Sequence, residues 1–156
     1  MKPIPAVHDP NKRLHRALAE FRHQLRTFLL ASENAAHQAG LHPQQHQLLL
    51  AVAGTPQHGF PSIAYAADLL GLKHNSVVEL VDRCEKENLL ERTTDPVDGR
   101  RVCLRVTLRG QKVLDRLSHV HLQELYLQAP HLIQALQKVL QNETKSGANP
   151  VAARRI

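Results

Sequence analysis

A chain of 156 residues, 42% of them apolar, suits one domain with a real core and not a disordered segment. No run approaches the roughly 18–20 consecutive apolar residues of a membrane span, and two distant cysteines are too few for a disulfide scaffold. Twenty Lys and Arg against fourteen Asp and Glu leave +6, with eleven histidines able to add charge below neutral pH, which favours an acidic partner such as nucleic acid or reflects an ordinary basic surface.

The opening MKPIPAVHDP has no charged start followed by an apolar core, so no secretion signal is expected and the cytoplasm is the expected location. Asp9-Pro10 reads as a helix start, a carboxylate cap followed by proline at the first helical position. Leu14, Leu18, Phe21, Leu25 and Phe28 then recur at steps of four and three on one helical face, and Gly40 stops the helix after about eight turns. That stripe either packs within the chain or meets a second copy of it. His42-Pro43 opens a second helix carrying Leu48, Leu49 and Val52, closed by Gly54. Pro61-Ser62 opens a third, with Ile63, Ala66, Ala67, Leu69 and Leu70 inward and Gly71 as its stop. After LKHN, Val77, Leu80, Val81 and Cys84 share the inner face of a fourth, leaving Asn75, Ser76, Val78, Glu79, Asp82 and Arg83 elsewhere. Two short helices joined by a tight turn containing glycine match a helix-turn-helix.

Beyond Asn88, which tolerates a left-handed cap, the period changes to two. LLERTT reads as one strand and VCLRVT as another, with Val102, Leu104 and Val106 on one face and Cys103, Arg105 and Thr107 on the other. The DPVDGRR between them carries Asp, Pro and Gly turn residues, Gly99 allowing a tight turn. A hairpin directly after a helix-turn-helix makes a winged helix. From Leu108 helical spacing returns through Val113, Leu114, Leu117 and Val120 toward Leu125. Pro130 is expected to break it and start a last helix with Leu132, Ile133, Leu136, Val139 and Leu140. Residues 143–156 read as a mobile tail. The expectation is one domain over 1–156, mainly α with a small β-hairpin wing (α+β): a winged helix-turn-helix lobe at 41–109 and a helical region from 10–40 with 110–142.

The run HNSVVELVDRCEKENLLERTTDPVDGRRVCLRVTLRG, with LVDRCE at 80–85, NLLER at 88–92, DPVDGR at 95–100 and VTLRG at 106–110, resembles the MarR family of winged-helix transcription regulators in order and spacing. Cys84 stands where that family usually has leucine, Asn88 where it has glycine, and Val78 and Glu79 where many members carry polar or basic residues. The resemblance implies a homodimer whose first and last two helices interlace, with Leu14, Leu18, Phe21, Leu25, Leu132, Leu136 and Val139 in the dimer region. It also implies Arg100 as the wing residue that enters a minor groove, where a flat cation suits a narrow, electronegative A·T tract.

Asp98 could hold that arginine by a charge-assisted hydrogen bond, with Arg101 beside it. From Arg92 to Arg109, five arginines against two aspartates leave a local surplus of three where a phosphate backbone would be met. Base contacts fall to His74, Asn75 and Ser76 at the start of the recognition helix, then Val78 and Glu79, with Arg83 a further DNA-binding candidate on that helix. Asn75 or Ser76 caps the helix on the alternative reading, and Ser62 could both cap the third helix and meet a phosphate. The expected partners are double-stranded DNA and a second copy of the chain, with repression as the family's habit and no membrane.

No cofactor is expected; a small-molecule effector of unknown identity would act by shifting a two-state dimer. Cys103, near Arg101 and Arg105, is a possible redox sensor if positive charge favours its thiolate. No metal site is expected, since His119 and His121 are two apart on a helix and diverge, and His42 with His46 has no clustered third ligand. A zinc- or redox-responsive sensor of the same fold, and a winged helix kept only for protein contacts, are the alternative readings. No phosphate loop, nucleophile motif or metalloprotease spacing points to an enzyme.

Overall fold

The computed structural model describes residues 11–56, 59–95 and 98–145, in the order α1 (Lys12–Gln38), α2 (Pro43–Ala53), α3 (Ile63–Leu70), α4 (His74–Lys86), β1 (Leu90–Thr94), β2 (Val102–Val106) and α5 (Leu108–Lys145). The helix start expected at Asp9-Pro10, and the tail from residue 146 on, lie outside the described residues; residues 143–145, expected in that tail, are helical. The described residues divide into two compact units, one within 31–123 and the other formed by 11–30 with 124–145.

In the first of these, α2, α3 and α4 pack around Leu48, Leu49, Ala66, Val77, Leu80 and Val81, joined by Leu89, Leu90 and Leu104 from the hairpin and by Leu114 and Leu117 from α5. The starts of α2 and α3 and the end of α3 fall where the sequence places caps. His42 caps α2: its Nδ1 accepts from the Gln44 amide at 3.3 Å while the Gln45 Oε1 accepts from the His42 amide at 2.9 Å, so two otherwise orphaned donors are satisfied. Gln45 is buried yet not idle, since its Nε2 donates to Glu87 Oε1 at 3.0 Å and ties the start of α2 to the end of α4. Ser62 caps α3 through the Tyr65 amide at 3.1 Å. Gly71 closes α3 at φ +64°, a left-handed conformation in which a side chain would be strained, and the Leu72 amide then reaches back to the Ala67 carbonyl at 3.0 Å. That turn is what allows α4 to begin three residues later. Leu69, expected inward, is exposed; eight residues of helix have one buried face, and Ala66 and Ala67 occupy it.

β1 and β2 pair antiparallel from Leu90↔Val106 to Thr94↔Val102. Alternation holds near the base, where Leu104 is buried and Val106 packs on the core, but Val102 is exposed because the hairpin has left the core by that point. Gly99 takes no left-handed φ and a Cβ there would meet nothing, so the turn does not depend on its being glycine.

In the other unit, the first part of α1 and the last part of α5 bury Ala17 and Ala135, and Lys138 Nζ pairs with Glu20 Oε1 at 2.8 Å. The break and fresh helix expected at Pro130 do not occur: α5 is one helix of 38 residues with the proline inside it. Proline removes one N–H and leaves the carbonyl four residues earlier, that of Tyr126, without its helical donor. Both Pro130 and Tyr126 are exposed, so water can satisfy that carbonyl and the helix continues.

Candidate nucleic-acid interface

The outer face of α4 is set by its inner one. Val77, Leu80, Val81 and Cys84 are fully or almost fully buried, which turns His74, Asn75, Ser76, Glu79 and Arg83 outward to solvent and leaves Val78 half-buried. Lys73 is the N-cap and its side chain makes no cap hydrogen bond. The capping alternative for Asn75 and Ser76 is therefore wrong: both sit inside the first turn, one and two residues past its start, with exposed side chains. Cys84 is an inert hydrophobe, its thiol pushed up to about 12 by burial first and Glu87 next.

A clamp fixes this helix to the hairpin. Arg92, at the start of the wing, donates to Asp82 Oδ1 at 2.7 Å and pairs with Glu85 Oε2, while its backbone amide donates to Glu85 Oε1 at 2.8 Å. Asp82 and Glu85 are three apart and so share one side of α4, where a bifurcated guanidinium reaches both. The other end of the hairpin is held by Thr107. Its hydroxyl donates to the Asn88 carbonyl at 2.7 Å and accepts from the Gly110 amide at 3.0 Å, capping α5. Asn88 holds the left-handed bend at φ 55°. Gly110 passes so near the Leu89 carbonyl that a Cβ there would collide with it. The LVDRCE, NLLER and VTLRG runs thus form one joint between α4, the wing and α5.

At the tip, the Asp95 amide donates to the Arg101 carbonyl and the Arg101 amide to the Asp98 carbonyl, both at 2.9 Å. Asp98 does not grip the Arg100 guanidinium. Its Oδ1 accepts from the Arg100 backbone amide at 3.1 Å, a local turn that leaves the exposed side chain of Arg100 without an ion pair among the described residues. Arg101 is engaged: its guanidinium carbon lies 3.6 Å from the Phe60 ring centroid and its Nη1 3.7 Å from Asp95 Oδ2. Arg105 donates to Glu91 at 2.6 Å. Of the five arginines from 92 to 109, three are balanced by neighbouring carboxylates, and Arg100 and Arg109 are the two without such a partner among the described residues. The surplus is concentrated at the tip and at the start of α5, not spread along the wing.

Residues 39–101 match the MarR family model. Over that segment the winged helix-turn-helix is similar to the MarR family. A stretch of 96 residues is 29% identical to a protein of Thauera aromatica described as a transcriptional regulatory protein for the hcr operon; it covers 62% of this chain and 56% of that relative, so little more than half of the relative is matched. A crystal structure of a MarR family transcription regulator superposes with a TM-score of 0.65 at 20% identity, over 88% of this chain and 96% of the other. CouR of Rhodococcus jostii RHA1, solved with p-coumaroyl-CoA, gives 0.61 at 22% identity over 82% and 88%. A MepR mutant of S. aureus, solved with an oligodeoxyribonucleotide, gives 0.58 at 20% identity over 81% and 91%. These likenesses establish the MarR fold well beyond the matched segment.

Within the MarR fold the remaining nominated residues fall as follows. Ser62 caps α3. Of the apolar positions in the helical unit, Leu14, Phe21, Leu132 and Val139 are half-buried and Leu18, Leu25 and Leu136 exposed. Cys103 loses the electrostatic support for a redox role: burial and then Asp95 push its thiol up, against a lesser lowering by Arg101, and Arg105 is turned to Glu91. No group of three or more potential metal ligands occurs among the described residues, and none of their helices is long and apolar enough to cross a membrane.

Sequence reasoning overlooked Phe60, the Arg92 clamp and one histidine contact. His46 and His121 meet with ring centroids 4.6 Å apart, from α2 and α5, and His46 is 3% exposed with no partner on its Nε2. Burial and then His121 lower the pKa of His46 to about 4, so it is neutral at ordinary pH. The carboxylates at a spacing of three, followed by an arginine opening the next strand, were a readable sign of the clamp; contacts made by Phe60 and His121 join distant segments and leave no local pattern.

Proposed function

We propose that this chain is a sequence-specific, double-stranded DNA-binding transcription regulator that acts as a homodimer on a near-palindromic operator and represses from it. The observation that carries the reading is the tip of the wing: an exposed Arg100 with its backbone pinned by Asp98 and its side chain without an ion pair among the described residues, beside an α4 whose outer face is wholly solvent-facing at His74, Asn75, Ser76 and Glu79. Arginine in that position suits a narrow minor groove, and α4 suits the adjoining major groove. There Asn75 can read adenine, Val78 can meet a thymine methyl, Glu79 can accept from cytosine N4, and Arg83 and Ser62 can meet phosphates. The first-turn amides of α4 have no side-chain cap and favour a phosphate as well.

Pairing of two copies is supported by the apolar residues that the helical unit leaves at the surface, among them Leu25, Leu29, Leu127, Ile133, Leu136 and Leu140, each at least 37% exposed. The mode of action is binding, not catalysis, and the location is the cytoplasm. A small-molecule effector would release the DNA by favouring one of two dimer states; the CouR neighbour was solved with p-coumaroyl-CoA bound. Titrating duplexes from the chain's own promoter region at fixed, moderate salt tests the reading. A regulator retains one duplex over random DNA, whereas a winged helix kept for protein contacts binds none.

A further inference from the structure

We propose that Phe60 is a positioning residue for DNA recognition: through Arg101 it fixes the wing, so that Arg101 is an internal fastener and Arg100 alone is presented to the duplex. The inference rests on the DNA-binding reading above.

Phe60 is half-buried in the loop leading into α3, two residues before the cap Ser62. The Arg101 guanidinium carbon is 3.6 Å from its ring centroid, and Asp95, with only 11% of its side chain exposed, stands 3.7 Å away. A backbone bond lies beside this stack: the Leu104 amide donates to the Pro61 carbonyl at 2.7 Å. The segment that starts α3 therefore holds the returning side of the hairpin twice, at Leu104 in β2 by backbone and at Arg101 just before β2 by a cation on an aromatic face. A two-stranded hairpin by itself is marginally stable, and its tip would sample many orientations. Fastening Arg101 to the helix-turn-helix removes that freedom before DNA arrives, which lowers the ordering cost of placing Arg100 in a groove. Two adjacent arginines thus have different work, and the structure separates them: Arg101 is held by an aromatic ring and a carboxylate, and Arg100 by neither among the described residues.

A positioning arginine and a phosphate-binding arginine differ in salt response. Each phosphate contact contributes about 0.9 to the slope of log affinity against log salt. Full-length protein, Phe60→Leu, Arg101→Gln, the double variant and the conservative Phe60→Tyr are titrated with a duplex the wild type binds, from roughly 50 to 200 mM salt. Phe60→Leu and Arg101→Gln should each weaken binding about fivefold with no change of slope. The double variant should be no weaker than either, and Phe60→Tyr should bind like the wild type. A slope flattened by about 0.9 per wing in Arg101→Gln, or losses that multiply in the double variant, would overturn the proposal. Amide exchange on the free protein gives a readout independent of DNA. Phe60→Leu should speed exchange at Arg101 and Leu104 while Leu80 and Val81 stay protected, and unchanged exchange in the wing also overturns it. If the wild type binds no duplex, the DNA-binding reading fails and amide exchange alone decides whether the fastener exists.

Discussion

Arg100 is an exposed arginine at the tip of the wing. Its backbone is held by Asp98 and its guanidinium faces solvent without a carboxylate partner among the described residues, whereas Arg92, Arg101 and Arg105 each have one. Arg100→Ala should weaken operator binding by about 1–3 kcal/mol, the range of one lost specific contact; an unchanged dissociation constant in a salt-controlled anisotropy titration would remove the residue from the interface. His46 makes a prediction of another kind. Its pKa is lowered from 6.5 to about 4 in the folded chain, so on acidification the unfolded chain takes up the proton first. The stability that comes from keeping His46 neutral is complete above pH 6.5 and is lost as pH falls toward 4, by roughly 3 kcal/mol in all. Urea midpoints of the wild type should therefore drop through that window more steeply than those of His46→Leu, and parallel curves would show that the histidine is not the cause.

At the scale of elements, the joint where α4, the hairpin and α5 meet decides whether the interface is assembled. Gly110 is its tightest point, because a Cβ would collide with the Leu89 carbonyl, a backbone atom that cannot swing aside. Gly110→Ala should cost about 1–3 kcal/mol of stability, read by thermal or urea unfolding; a variant as stable as the wild type would mean the two segments part easily. Much of this joint was legible in the sequence. The switch from a helical period to alternation at Asn88 marked the bend, and the buried set Val77, Leu80, Val81 and Cys84 matched its periodicity residue by residue. Pro130 misled because proline is a strong local signal whose cost depends on what can satisfy the freed carbonyl, here water at an exposed turn. Asp98 misled for a related reason: a short carboxylate two residues from an amide bonds the backbone more readily than a long side chain. The charge count placed five arginines in and around the wing but could not say which were already paired, since the partners Asp82 and Glu85 lie on another element.

For the molecule as a whole, the helical unit carries a row of exposed large apolar side chains that a lone chain in water gains nothing by displaying. Burying them against a second copy would explain their number, and it would supply the two wings and two recognition helices that a near-palindrome requires. Leu25→Asp with Leu136→Asp, at positions 37% and 42% exposed, should leave the fold of each chain intact and shift sedimentation from dimer to monomer; a variant that sediments as the wild type would place the interface elsewhere. The most direct test of the central claim, specific duplex recognition by paired winged helices, is to sequence the fragments that the full-length protein retains from a random duplex pool. The account predicts enrichment of one near-palindromic sequence with half-sites about one helical turn apart and an A·T-rich minor groove where Arg100 enters. Retained fragments no different from the starting pool would contradict it.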